Sequence, residues 1–373
     1  MPQFQVVESE LFAALNVVLC GEFQKNRAQL KVSPEKLVVR AASAAHSVEI
    51  TLPTAKVIKP GEVVIFVDRY LGDQVSIGEM DRGVVRDITF SAGDDDEFPD
   101  VDKTGTPAKK TPPSAPEDTR VEFNGVEFAR ACFNALVIVE AQKSYPKHAL
   151  LQVSDNTLRL TSMDRVVLHT VSISCRPAKQ LSLFPRKSGD PESFGVLVSR
   201  RWLKLCAAAG ISDRGKGTVS IGTKSVTAKV GSATITTRIE KGDYPNCSGL
   251  FVTSPAWTFI VDREWLLTFL FLHMNLGASD VRFLFSGDGI FVDDIYVEAK
   301  EIDGLEVHQP LERFSPVSVN KARLTEVLQK GFCSELVSLT FGSPFDPVDL
   351  KPVDDRREHY IFAPRRDVER RVK

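Results

Sequence analysis

The sequence predicts an α+β protein made of three repeated units, each with two helices and a set of antiparallel strands. Three observations carry that prediction. The first is a hairpin pattern met three times. Leu30-Lys31-Val32-Ser33 with Leu37 and Val39 returns 121 residues later as Leu151-Gln152-Val153-Ser154 with Leu158 and Leu160. It returns 132 residues further on as Phe283-Leu284-Phe285-Ser286 with Ile290 and Val292. Apolar positions alternate, break at a serine-started turn and resume, as a half-buried hairpin requires. The second is a capping pattern: Val67-Asp68, Val198-Ser199 and Val319-Asn320 each set a helix-capping side chain before a short amphipathic segment. The third is the spacing itself. A repeat of domain length implies three homologous units and a molecule whose purpose is geometric, and leaves open whether the units stack in a line or close into a circle.

The elements follow in chain order. Ser9 opens a segment with Leu11, Phe12, Leu15, Val18 and Leu19 at helical spacing. Strands run from Leu30 to Leu52 and from Val63 to Val67, Asp68 caps a short helix around Tyr70, and alternation returns from Val84 to Phe90. The acidic run Asp94-Asp95-Asp96-Glu97 is read as a solvated loop rather than a cation site. The first unit is placed at residues 1–103, and a Pro-, Thr- and Lys-rich linker at 104–119. In the second unit, 120–254, Asn124 precedes a helix with Phe128, Cys132, Leu136 and Val139 inward. Ser199 precedes another with Trp202, Leu203 and Leu205 inward. The third unit, 255–373, repeats the plan with helices from Asp262 to Leu272 and from Asn320 to Lys330.

Composition narrows the function. A net charge of −2 from 47 basic and 49 acidic residues excludes a uniformly basic nucleic-acid binder, so any DNA surface must be a local patch. Six scattered cysteines without a C-x-x-C pair, and a polar N-terminus, fit a reduced cytoplasmic protein. The most apolar stretch, Trp265 to Leu272, is far short of the ~20 residues of a membrane span, and is expected to be a core helix.

Catalytic chemistry is not indicated. Gly210 to Gly217 approaches a phosphate-binding loop, but Gly217 stands where Ser or Thr would hold magnesium, and the string follows a helix and precedes a strand. The six histidines show no metal-ligand spacing. Asp293-Asp294 and Asp354-Asp355 are adjacent and, on strands, would face opposite sides. No cofactor or metal is expected, and the chain is read as a non-enzyme.

Other segments resemble the β sliding clamp family of bacterial DNA polymerase III. Gly242-Asp243-Tyr244-Pro245 resembles the family's Gly-x-Phe/Tyr-Pro segment at the end of its second domain, and Glu97-Phe98-Pro99-Asp100 the counterpart of the first. Tyr360-Ile361-Phe362-Ala363-Pro364-Arg365 resembles its closing strand. The resemblance covers nearly the whole chain. It implies three clamp domains per chain and a head-to-tail homodimer closed into a six-domain ring around duplex DNA held without sequence reading. It also implies a DNA polymerase and a clamp loader as partners.

The resemblance also points to residues. Basic groups on inward helices attract phosphates, and the candidates are Gln24, Lys25, Arg27, Lys143, Lys147, Arg200, Arg201, Lys204, Lys321 and Arg323. A partner-peptide pocket is expected from Met163, Asp164, Leu168, Pro245, Leu250, Ile361, Phe362, Pro364 and Arg365. Two departures mark a divergent member, a phage-encoded clamp being one reading. Met163-Asp164-Arg165-Val166-Val167-Leu168 lacks the family's Gly and His/Tyr-Arg pair, and Ala363 replaces Met. Gln180-Leu181-Ser182-Leu183-Phe184 is similar to the peptides that dock into clamp pockets, the alternative being a locally buried strand end. The rival function is a clamp-like scaffold or regulatory protein with an altered pocket that does not serve replication.

Overall fold

The computed structural model describes residues 3–21, 27–43, 45–52, 55–66, 85–89, 119–140, 148–154, 156–177, 194–211, 215–252, 254–274, 279–286, 289–293, 295–298, 306–307, 316–331, 334–343, 345–355 and 357–365. Five α-helices lie among them: α1 (Glu8–Cys20), α2 (Gly125–Glu140), α3 (Arg200–Ile211), α4 (Arg263–Met274) and α5 (Lys321–Lys330). None is long and apolar enough to cross a membrane.

Helix starts are set by side chains that take up otherwise unpaired amides. Asn124 Oδ1 accepts from Val126 and Glu127, and Ser199 Oγ from Trp202. Asp262 Oδ1 accepts from Trp265, and Asn320 Oδ1 from Arg323. Each of these four caps is the residue expected from the sequence. The segment around Asp68 and the acidic run at 94–97 lie outside the described residues, as does the linker up to residue 118. Thr119 already belongs to a strand, Thr119–Asn124.

The chain folds as two compact units. The first comprises 1–133, 151–158 and 173–241, and the second 134–150, 159–172 and 242–373. In the first, one antiparallel sheet runs in the order Gly61–Phe66, Arg27–Ser33, Lys36–Ala42, His46–Leu52, Ala233–Arg238, Ser225–Val230, Lys216–Ile221, Thr119–Asn124. Residues 175–177 add to the far side of Thr119–Asn124. A smaller sheet pairs Gln3–Val7 with Lys56–Lys59 and Val85–Thr89. Helices α1 and α3 pack on each other and on the large sheet, sealing Leu15, Val18, Trp202, Leu203 and Leu205 from water. Gly210 is dictated by this packing, since a Cβ there would lie 2.0 Å from that of Ala129 on α2. A Cβ on Gly217 would meet the Phe123 ring at 2.3 Å. Gly210 and Gly217 therefore serve close packing, the first between two helices and the second between two paired strands.

In the second unit, Trp257–Asp262, Leu336–Phe341, Val348–Pro352 and Glu358–Phe362 form a sheet that continues into residues 167–171. A four-stranded sheet runs Ile295–Glu298, Gly289–Val292, Asp280–Ser286, Val317–Asn320. Helices α4 and α5 pack together over an aromatic core. Trp257 stacks on Phe285 at 4.9 Å between ring centroids, and Phe341 touches Phe259, Phe283 and Phe285. Each fully buried ring contributes about 1.5–3 kcal/mol relative to exposure.

The hairpin repeat is real in register. Ser33 pairs Lys36 with Leu30 opposite Val39, and Ser286 pairs Gly289 with Phe283 opposite Val292. At the corresponding turn of the second copy, Ser154 Oγ donates to the Thr157 carbonyl, as Ser33 Oγ does to that of Lys36.

Candidate functional site

Within the second unit the structure gathers the residues expected at the partner-peptide pocket. Strand pairing puts Leu168 opposite Ile361 and Val167 opposite Phe362. Beyond the strand end, the Ala363 amide donates to Val166 and the Arg365 amide to Ser318. The tail Ala363-Pro364-Arg365 thus bridges the Met163–Leu168 turn and the strand Val317–Asn320. Arg365 grips Asp280 through Nε and Nη1, at 3.0 and 3.3 Å. The Gly242-Asp243-Tyr244-Pro245 segment joins from another side. The Tyr244 hydroxyl donates to the Thr161 carbonyl, and Cys247 Sγ lies 3.2 Å from the Pro245 carbonyl and 3.9 Å from Met163 Sδ. Burial pushes the Cys247 thiol pKa up, so it is a neutral packing group.

Asp164 organises the turn. Oδ1 accepts the amides of Val166 and Val167, each at 2.6 Å, and Oδ2 meets the Arg323 guanidinium at 2.7 Å. Arg323 also pairs with Glu326, which pairs with Lys330 at 3.2 Å. The turn is therefore tied to α5 through alternating charges.

Three sequence expectations are corrected. Leu168, Ile361 and Phe362 are at most 3% exposed: Phe362 packs into the aromatic core, and Leu168 and Ile361 are covered together on the other face of the paired strands. Met163, Val166, Pro245, Leu250 and Pro364 are the half-exposed apolar groups here, with Ala363 and Arg365 exposed. Lys321 and Arg323, expected to face DNA, do not fit a solvent-facing lining. Lys321 is 2% exposed with Nζ 3.8 Å from Asp293, and Arg323 is held by Asp164 and Glu326. Asp293, expected on a strand, sits at a turn with φ of 56°, its Oδ1 accepting the Arg282 amide.

In the first unit, Arg200, Arg201 and Lys204 share the opening turns of α3, Arg200 exposed and the others half-exposed. Beside them, His46 Nε2 lies 2.7 Å from Ser199 Oγ. Burial, and then the charge of Arg201, lower the His46 pKa to about 4. The ring is thus neutral at pH 7, and its Nε2 shares a hydrogen bond with the Ser199 hydroxyl, which also accepts the Trp202 amide. Arg27 opens a strand. Its side chain, together with Gln24, Lys25, Lys143, Lys147 and the whole Gln180–Phe184 motif, lies outside the described residues. Among the described residues no three His, Cys, Asp or Glu side chains are placed to hold a metal.

Sequence reasoning missed the partnership of Arg323 with Asp164. It also missed a buried polar cluster around Glu358, since nothing in Arg357-Glu358-His359 distinguishes Glu358 from an exposed strand residue.

Five helices on antiparallel sheets, with repeated hairpins and a C-terminal strand paired to residues 167–171, make up a fold shared with the sliding clamps. Solved clamp structures superpose on the chain nearly end to end. The DNA polymerase sliding clamp from Bacillus subtilis is 14% identical, with 98% of this chain and 99% of that one covered and a TM-score of 0.68. The DNA polymerase III beta subunit from Thermotoga maritima is 16% identical, with 98% and 100% covered and a TM-score of 0.68. The sliding clamp from Pseudomonas aeruginosa, DNA polymerase III subunit beta, is 15% identical, with 98% and 99% covered and a TM-score of 0.69. No family model matches the sequence, and no curated relative does.

Proposed function

We propose that the chain is a DNA polymerase processivity clamp. Two copies, each of three clamp domains at 1–103, 120–254 and 255–373, close head to tail into a ring that encircles duplex DNA. The ring tethers a polymerase through the site around Met163–Leu168 and Ala363–Arg365, and a clamp loader places it on DNA. It works by enclosure and carries out no reaction of its own. The observation that carries this reading is the end-to-end match to clamps whose full length is also covered, because enclosure depends on the complete set of domains.

Two further features support it. Arg200, Arg201 and Lys204 offer phosphates a sequence-blind attraction. The strand Ile295–Glu298 ends its sheet with no second neighbour among the described residues, and α4 exposes Trp265, Phe271 and Leu272, the last by 70%. An open strand edge and exposed apolar groups each suit pairing with a second copy.

The altered site favours a second reading, a clamp-like scaffold or regulator that does not serve replication. Arg323 is pinned there, and three apolar residues expected to receive a partner are buried. Loading onto nicked circular DNA separates the two. A processivity clamp is retained on the circle and released when the DNA is linearised; loss regardless of topology leaves the scaffold reading.

A further inference from the structure

One sheet seam occurs twice in this chain with the same register and different chemistry. In the first unit Ile50, Val48 and His46 lie opposite Ala233, Ile235 and Thr237. In the second, Val171, His169 and Val167, each 121 residues further on, lie opposite Glu358, Tyr360 and Phe362. Val48, Ile50, Ala233 and Ile235 make the body of the first seam aliphatic and no more than 3% exposed, with the His46–Thr237 pair at its end. At the corresponding places the second seam carries a histidine, a tyrosine and a glutamate, each at most 2% exposed.

The polar groups satisfy one another. Glu358 Oε1 accepts from Asn134 Nδ2 at 2.6 Å and from His169 Nε2 at 3.0 Å, and the Tyr360 hydroxyl lies 3.1 Å from it. The same hydroxyl is 3.1 Å from the Gly331 carbonyl at the end of α5. With Nε2 donating to the carboxylate, His169 Nδ1 is left to accept from Ser162 Oγ at 3.4 Å. The His169 ring packs on Tyr360 at 4.6 Å.

An aliphatic seam tolerates a two-residue slip, because the same face stays inward. A seam built on a buried carboxylate does not, since any other register strands the charge without donors. Donors from α2 and strand 167–171, with Tyr360 bound at the end of α5, hold the strand Glu358–Phe362 from three directions. That strand runs straight into Ala363-Pro364-Arg365.

We propose that Glu358, with His169, Tyr360 and Asn134, is the positioning group of the partner-peptide site, locking the C-terminal strand in the one register that delivers Ala363–Arg365 to Val166 and Ser318. This rests on the clamp reading for the presence of a peptide site. Glu358 acts through the backbone it anchors and does not touch the peptide.

The test measures binding of a fluorescein-labelled Gln-Leu-Ser-Leu-Phe peptide to the full chain, together with hydrogen exchange at the Ala363 and Arg365 amides. Glu358→Gln removes the charge at nearly constant volume, and Val48→Ala, in the aliphatic seam, is the control for plain destabilisation. The expected result is at least tenfold weaker binding and tenfold faster exchange at both amides in Glu358→Gln, with Val48→Ala binding as the unsubstituted chain does. Equal effects of the two variants on binding, or none from Glu358→Gln, overturn the proposal. Should Glu358→Gln not fold, Tyr360→Phe keeps the ring and removes the hydroxyl; a several-fold loss of affinity is expected, and unchanged affinity overturns the proposal. An unsubstituted chain that ignores the peptide sinks the clamp-site reading instead, while exchange at Ala363 and Arg365 still reports on the register lock.

Discussion

Asp164 and Arg323 form a buried ion pair, with Oδ2 of the aspartate 2.7 Å from the guanidinium and Oδ1 holding two backbone amides of its own turn. One carboxylate therefore shapes the Met163–Leu168 turn and fastens it to α5. Removing one partner of such a pair leaves the other charge buried and uncompensated, which costs about 3–5 kcal/mol. Asp164→Ala is expected to destabilise the chain by about that amount in urea unfolding. Asp164→Asn keeps the amide acceptor and loses less. Combining Asp164→Asn with Arg323→Met is expected to recover part of the loss, and strict additivity of the two would contradict the pairing.

His46 sets a pH dependence. Its pKa in the folded chain, about 4, lies below the ordinary 6.5, so the unfolded chain binds the proton first as pH falls. The stabilisation from the neutral ring is complete above pH 6.5 and drains away between 6.5 and about 4. His46→Gln keeps a polar contact to Ser199 and is expected to flatten the fall in melting temperature across that window. An unaltered slope would show that His46 is not responsible.

Ring closure is expected to fail when the exposed end of α4 is made charged. Leu272→Glu with Phe271→Lys should change a dimer of about twice 41.2 kDa into monomers at micromolar concentration, read by sedimentation. Leu272 is 70% and Phe271 46% exposed, so the folded monomer itself is expected to lose no more than about 1 kcal/mol.

DNA attraction should follow exposure. Arg200→Gln with Lys204→Gln is expected to weaken DNA association and to lower the slope of log affinity against log salt by about 0.9 for each phosphate no longer neutralised. Lys321→Gln should leave the slope unchanged, because that ammonium is buried beside Asp293. Fluorescence anisotropy at several salt concentrations distinguishes the two.

Much of the fold could be read along the chain because its determinants are local. Asn124, Ser199, Asp262 and Asn320 cap their helices through amides two or three residues away. The serine-started turns close hairpins through a carbonyl three residues on. Site residues were harder to place, since exposure is not a local property. Lys321 and Arg323 carry the helical spacing of a solvent face, yet one is buried by its fold and the other is captured by an aspartate more than 150 positions earlier.

The hairpin repeat, the helix caps and the local order of helices and strands were legible along the chain, because these follow from periodicity and from side chains acting on their own backbone. The tertiary structure settled which of two equivalent seams would bury a carboxylate. It alone brought Glu358 to His169 across 189 positions and to Asn134 across 224. A buried carboxylate is tolerated only where donors converge from several elements at once, and that convergence exists only after the chain has folded.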